Sequence, residues 1–323
     1  MWASSSNVKQ DSIWGNYVSD IDTEAAISMA NEPYAALLDS IGLIKISGDD
    51  AESFLQGQLT CDFNTITAGH AQLGAHCNVK GRAQCTFVAF HHDGAFYLAL
   101  PNDQVAPTLA ALGKFALFSK VELAPCPELL AVGWGTEEVT ALPDDMNVIT
   151  IDVPHLGHML FIAKEQAESF LSHRNQDPSA PKLCGDNAWH LSLINRGVAM
   201  IGQAQSEQWI PQEMNYDLIN GVNFKKGCYK GQEIIARIHY RGQSKVRTHL
   251  LEIEGTTALQ VHIGDKITAE NTNGTILAVA RVNERTLRVL STLKITDLES
   301  ENLKLEQNDG CQIRVLSLPY AIT

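Results

Sequence analysis

Apolar and polar positions alternate over residues 42–47 (GLIKIS), a period of two that predicts a short strand. Ser47-Gly48-Asp49-Asp50 then supplies N-cap chemistry, and residues 51–59 take up helical spacing. Residues 73–79 read as a strand, Lys80-Gly81 as a tight turn, and 82–90 as the returning strand. His91-His92-Asp93-Gly94 marks a second turn, with its histidines at a solvated tip, before a strand over 95–100. An Ala/Leu-rich helix is expected over 102–118, with Pro107 near its beginning or breaking it. Short strands follow near 120–123, 129–134, 147–151 and 158–163, and helices over 164–174 and 186–196. The hairpin signals make antiparallel pairing the expectation, hence α+β rather than a doubly wound parallel sheet.

The pattern changes after about residue 243. Segments 246–254, 266–270, 275–282, 286–291 and 312–318 are strand-like, separated by turn chemistry such as Asn273-Gly274, which predicts a small β-barrel or sandwich. Residues 1–24 are polar and rich in Ser, Asn and Asp, as in a flexible arm. The expected division is therefore an arm over 1–24, a main α+β region over 25–243 and a barrel over 244–323.

Length and composition agree. A chain of 323 residues is enough for two domains, or three small ones, at about 150 residues each. Its 45% hydrophobic and 19% charged residues are those of an ordinary globular protein. A net charge of −13 excludes attachment to nucleic acid or an anionic membrane through global charge, so an anionic partner needs a local basic patch. No apolar run approaches the roughly 18 residues of a membrane span, and the start MWASSSNVKQDSIWGNY lacks the basic and apolar regions of a secretory signal, so a cytoplasmic protein is expected. The seven cysteines (61, 77, 85, 126, 184, 228, 311) are odd in number, loosely spaced and without a C-x-x-C, which argues for reduced thiols.

Residues 224–247 supply the basic patch. Seven Lys or Arg (Lys225, Lys226, Lys230, Arg237, Arg241, Lys245, Arg247) face the single acid Glu233, a local charge of +6. Gly227 precedes Cys228, and Gly231 opens the periodic run Ile234, Ile235 and Ile238, so a helix is expected to begin near Gly231 or Gln232. Cys228 then sits just before a helix N-terminus among three lysines, surroundings that favour the thiolate, with Lys226 as its stabilising charge. The plain alternative is a small buried cysteine with solvated lysines; the coincidence of glycines, lysines and helix start favours a reactive thiol.

Residues 226–233 (KGCYKGQE) resemble the K-G-C-Y-x-G-Q-E signature of the YgfZ proteins, folate-binding relatives of the glycine-cleavage T-protein aminomethyltransferase. Leu55-Gln56-Gly57-Gln58-Leu59-Thr60 with Asp62, Ala75-His76-Cys77 with Lys80-Gly81, Phe118-Ser119-Lys120-Val121 and Leu318-Pro319-Tyr320 carry the resemblance along nearly the whole chain. It implies a T-protein-like ring of folate-binding α/β subdomains around a central cavity, followed by a C-terminal β-barrel. It also implies tetrahydrofolate or a derivative as cofactor, and a role in iron–sulfur cluster assembly or repair. Through cluster enzymes that role reaches tRNA modification. Iron–sulfur enzymes or assembly factors would be transient partners, with weak tRNA contact and no membrane. Trp189 matches a tryptophan that the family places against folate, whereas Ile41 stands where the family has an aromatic residue and Asn78 where it commonly has Asp.

Other residues complete the expected site. Glu213 and Asn215 are placed to bond a pterin edge or else lie in a solvated loop; Tyr229 and Gln232 belong to the signature itself. Arg237 suits a folate glutamate carboxylate, or an i,i+4 pair with Glu233. No acid occurs from 78 to 92, where the aminomethyltransferases use a carboxylate, which argues against glycine-cleavage chemistry. One cysteine cannot hold a cluster that needs four ligands, and His155-x-x-His158 reads as loop histidines, so no permanent metal is expected. Cys77 and Cys85 read as buried neighbours across a hairpin. The leading expectation is a folate-dependent accessory protein for iron–sulfur enzymes. A tetrahydrofolate-dependent aminomethyl- or methyl-transferase stands second. A tRNA-binding module stands third, weakened by the lack of any interleaved aromatic platform.

Overall fold

The structure is a computed structural model that describes residues 33–135, 139, 142, 146–176, 180–242, 244–269, 272–297, 303–306 and 310–322; the expected arm over 1–24 lies outside them. In chain order the first elements are β1 (Tyr34–Leu38), β2 (Ile41–Ser47), α1 (Ala51–Gln58), β3 (Ala71–Cys77), β4 (Ala83–His92), β5 (Ala95–Pro101), α2 (Val105–Ala116) and β6 (Glu122–Pro125). Then come β7 (Leu129–Trp134), β8 (Val148–Val153), β9 (Gly157–Ala163), α3 (Ala167–Gln176), β10 (Lys182–Cys184), α4 (Asp186–Asn195) and α5 (Gln232–Arg241). The last are β11 (Val246–Gly255), β12 (Lys266–Ala269), β13 (Thr272–Asn283), β14 (Thr286–Lys294), β15 (Lys304–Leu305) and β16 (Cys311–Leu316).

The strands form three sheets: β10-β1-β7-β9-β8, β3-β4-β5-β2-β6, and β15-β12-β13-β14-β11-β16. Every pairing is antiparallel except β1 with β10. The edges of the third sheet, β15 and β16, approach each other, so that sheet nearly closes into the expected C-terminal barrel. The expected α+β class and C-terminal barrel therefore hold.

One large core joins all three sheets. Leu73, Ala75 and Phe90 of the second sheet, Met159 and Phe161 of the first, Trp189 and Leu193 of α4, and Leu250, Leu277 and Leu290 of the barrel all belong to it. Separate clusters lie beneath α1 and α2 (Phe54, Phe87, Leu112), inside the barrel (Leu251, Ile267, Val289) and beneath α3 (Trp134, Phe170).

Several local expectations are corrected. Asn273-Gly274 is no turn; it pairs with Thr268 and Ile267 inside β13. A Cβ on Gly274 would lie 2.2 Å from the Thr292 carbonyl oxygen, so glycine here answers to strand approach. Pro107 does not break α2, since its missing N–H falls in the first turn, where no helical partner exists. His91 and His92 still belong to β4, and the turn proper is Asp93-Gly94, both with positive φ. Asp50 makes no side-chain cap of α1; its carboxylate instead accepts from the Lys120 N–H at 2.8 Å. Strands β1, β10 and β15 are too short or too uniformly apolar to show an alternating pattern.

Candidate functional site: the Cys228 loop and an inter-sheet cleft

The loop before α5 is built from contacts distant in sequence. Asn223 Oδ1 accepts from the Lys225 and Lys226 N–H groups at 2.8 and 3.0 Å, an Asx turn that starts it. Lys226 folds inward, and its Nζ donates to the Leu59 and Cys61 carbonyls at 2.8 and 2.5 Å. Thr60, between those two, donates to the Gly221 carbonyl at 2.6 Å and accepts from the Ala75 N–H at 2.8 Å. Asp62 accepts from Gln56 Nε2 at 2.8 Å and from Asn223 Nδ2 at 3.3 Å. The conspicuous segment over 55–62 is therefore the brace of the Cys228 loop.

At the far end, Gly231 has φ +83°, and a Cβ there would lie 2.5 Å from the Asn78 carbonyl oxygen. Only glycine allows the loop to press on the β3–β4 turn in that conformation. Asn78 Oδ1 accepts from the Lys80 and Arg82 N–H groups at 2.9 and 3.1 Å and so holds the turn itself. The expected helix begins at Gln232, whose side chain turns back to accept from the Tyr229 N–H at 3.3 Å. Cys228 stands exposed on the loop crest, flanked by exposed Gly227 and buried Tyr229.

Cys311, on β16, is partly exposed; the remaining five thiols differ. Cys61, Cys77, Cys85, Cys126 and Cys184 are all buried, and burial pushes each of them up, Cys85 to about 11 and Cys61, Cys126 and Cys184 to about 12. Cys77 and Cys85 do lie near each other, as expected, with Cys85 paired opposite His76.

The expected site residues do not all converge. Lys226 is anchored on backbone carbonyls, and burial lowers its ammonium to about 8. Its charge is committed to fixing the loop rather than to the thiol. Asn215 is no solvated loop residue: it is fully buried at φ +62°, donates to the Thr248 carbonyl at 2.7 Å and accepts from the Thr248 N–H at 3.3 Å. Glu213 accepts from the Ile210 N–H at 2.9 Å, and burial raises its carboxyl. Both residues fasten the segment before the loop to itself and to β11. Arg237 is exposed and makes no ion pair with Glu233 among the described residues. Trp189 is 1% exposed and lies against Gly133, where an added Cβ would sit 2.4 Å from the indole. The ring face expected to stack on a ligand is thus covered by β7.

A shallow cleft runs between the second sheet, α4 and the barrel. Its walls are mainly apolar, with Ile41, Leu193, Ile194, Met200 and Leu277 among them, and Ser40 and His190 lie at one end. Asp186 holds that polar end: its carboxylate accepts from the Asp39 N–H at 3.2 Å and from Ser40 Oγ, and Ser40 Oγ lies 3.3 Å from His190 Nε2. Burial lowers the His190 imidazole, with Asp186 opposing. In the second sheet β4 and β5 separate β3, whose end meets the loop, from β2, which begins at Ile41 on the cleft. Neither Asp186 nor Ser40 was singled out from sequence, because their contact spans 146 positions. Among the described residues no group of His, Cys, Asp or Glu could hold a metal ion.

Comparison with known proteins follows the same lines. No family model matches the chain. It is 33% identical to the tRNA-modifying protein YgfZ of Pectobacterium atrosepticum, over 88% of this chain and 91% of that protein. The chain belongs to the YgfZ family. The YgfZ of Photobacterium profundum is 30% identical over 88% of this chain and 91% of its own. Among solved structures, the glycine cleavage system aminomethyltransferase T from Bartonella henselae superposes with a TM-score of 0.67 over 91% of this chain and 89% of that one. At 12% identity this likeness establishes the fold alone. The YgfZ signature thus marks the loop that exposes Cys228 together with the first residues of α5, and the earlier conspicuous segments mark the parts that brace it.

Proposed function

We propose that this chain supports tRNA modification as a folate-binding accessory protein for iron–sulfur enzymes, with Cys228 as its reacting group. The observation that carries the reading is the contrast among thiols: Cys228 is exposed on a braced crest, whereas five others are buried and held protonated by burial. The relatives' name supports the tRNA context. Supporting the folate reading, the cleft offers apolar walls for a flat ring and Ser40 and His190 for a polar edge. A bound tetrahydrofolate would supply a one-carbon carrier. Ser40, oriented by Asp186, and His190 would orient its ring, and Ile41 and Leu277 would exclude water from it. Asn78 counts against the transferase alternative, since its side chain is committed to the turn and carries no carboxylate.

The test is a strain lacking the gene, scored by mass spectrometry for tRNA modifications that require iron–sulfur enzymes. Wild type should restore them, and Cys228→Ala should restore little while keeping its melting temperature and its calorimetric affinity for tetrahydrofolate. Full restoration by Cys228→Ala overturns the role of the thiol; no heat of binding for wild type overturns the folate.

A further inference from the structure

The surface around the Cys228 loop carries a second feature. Leu117 and Phe118, just beyond α2, are 80% and 93% exposed. The chain does not leave them loose: the Ser119 N–H bonds the Ala116 carbonyl at 3.0 Å, and the Lys120 N–H bonds Asp50 at 2.8 Å. Their exposure is enforced on both sides. Phe115, also exposed, has Lys230 Nζ 5.0 Å from its ring centroid, so this apolar cluster touches one end of the loop. A second cluster touches the other end. Phe224 stacks on His239 of α5 with centroids 3.6 Å apart, and Tyr240 lies edge-on to His239 and is 66% exposed. Phe224 and Lys230 are at most about 22 Å apart even for an extended loop. Cys228 lies between them in the chain.

The charge around the loop is mainly positive, with Glu233 on α5 and Glu207 near Lys230 as the opposing carboxylates. Lys114, Lys225, Arg237 and Arg241 are exposed, Lys230 is half-buried, and none forms an ion pair with a described carboxylate. On a chain with net charge −13, such a concentration of free cations selects a polyanion. Flat aromatic side chains beside free cations match the two halves of a nucleotide, base and phosphate. An acidic protein surface would meet the charge equally but gives no special use to the projecting rings. Aromatic side chains more than 100 positions apart thus border the two ends of the loop, a grouping the sequence does not show as a continuous pattern.

We propose that an unpaired segment of RNA docks across this face, its bases on Phe118 and Tyr240 and its phosphates on Lys225, Lys230, Arg237 and Arg241. The proposal rests on the tRNA-modification reading and names where the RNA itself would meet this chain.

The experiment is fluorescence anisotropy of the full chain with a labelled oligouridylate, an unmodified tRNA transcript and a fully paired RNA duplex. Wild type should bind the first two in preference to the duplex. Phe118→Ala and Tyr240→Ala should each weaken binding about 5-fold or more. Lys225→Ala and Arg241→Ala should each reduce the slope of log affinity against log salt by about 0.7. Absence of binding to the single strand, or wild-type affinity in both aromatic variants, overturns the proposal. The same aromatic variants are scored for tRNA modification in the deletion strain. Loss of modification with unchanged RNA affinity assigns the face to a protein partner, which overturns RNA docking and leaves the reading of function standing. Cys228→Ala in the same cells reports on that reading separately.

Discussion

At the scale of single residues, the structure separates side chains that hold the site from those free to act. Lys226 is the clearest case: in sequence it is one of three lysines around a cysteine, and in space it is a strut between two carbonyls. Lys226→Met should therefore cost about 1–3 kcal/mol of stability, because it strands buried acceptors. Urea unfolding checks this, and an unchanged midpoint would return Lys226 to the thiol. Ile41 lines the cleft where relatives are expected to carry an aromatic ring. Ile41→Trp should tighten tetrahydrofolate binding about 2- to 10-fold through ring stacking, read by calorimetry. Unchanged affinity would remove this wall from the ligand's surroundings.

At the scale of elements, the determining contact is between the β3–β4 turn and the N-terminus of α5. Gly81 and Gly231 both have positive φ, and Gly81 packs on Ile234 and Ile235 while Gly231 packs on the Asn78 carbonyl. Gly231→Ala adds a Cβ where no space exists and strains the backbone as well. It should lower stability by about 1–3 kcal/mol and make the loop over 226–231 exchange amide hydrogens faster. Wild-type protection would show that the turn yields to the helix. The signature KGCYKGQE located the helix start to Gly231 or Gln232, and it is Gln232, because glycine followed by an apolar period is a local signal. The brace from Thr60 and Asp62 left no such trace, since it joins positions about 160 residues apart.

At the scale of the molecule, one core binds all three sheets, so the barrel is part of the site and not an appendage. Asn187 shows how: it donates to the Arg281 carbonyl and accepts from the Arg281 N–H, each at 2.9 Å, and so pairs α4 with β13 as if it were backbone. Burial in this architecture also holds two histidines neutral, lowering His76 to about 3 and His249 to about 4. Below the ordinary value of about 6.5 the unfolded chain takes up protons that the folded chain refuses. Stability present in full above that pH should be lost progressively as pH falls toward 4. Urea midpoints at about pH 7.5 and about pH 5 should differ in that direction, and by less in His76→Gln. Equal midpoints for wild type would contradict the burial of these rings as neutral groups.

Sequence by itself determined the α+β class, the run of hairpins, the start of α5 to within a residue and the strand-rich C-terminal module, because each is written in local periodicity, turn chemistry or an uninterrupted motif. Tertiary structure alone decided what the charged and polar residues do. It turned Lys226 and Asn215 inward and covered Trp189 with Gly133. It brought Ser40 to Asp186, set Phe115 against Lys230 and gathered Phe224, His239 and Tyr240. The reason is physical: a backbone preference acts over a few residues, whereas a buried donor takes whichever acceptor packing delivers, and packing is decided by the whole chain.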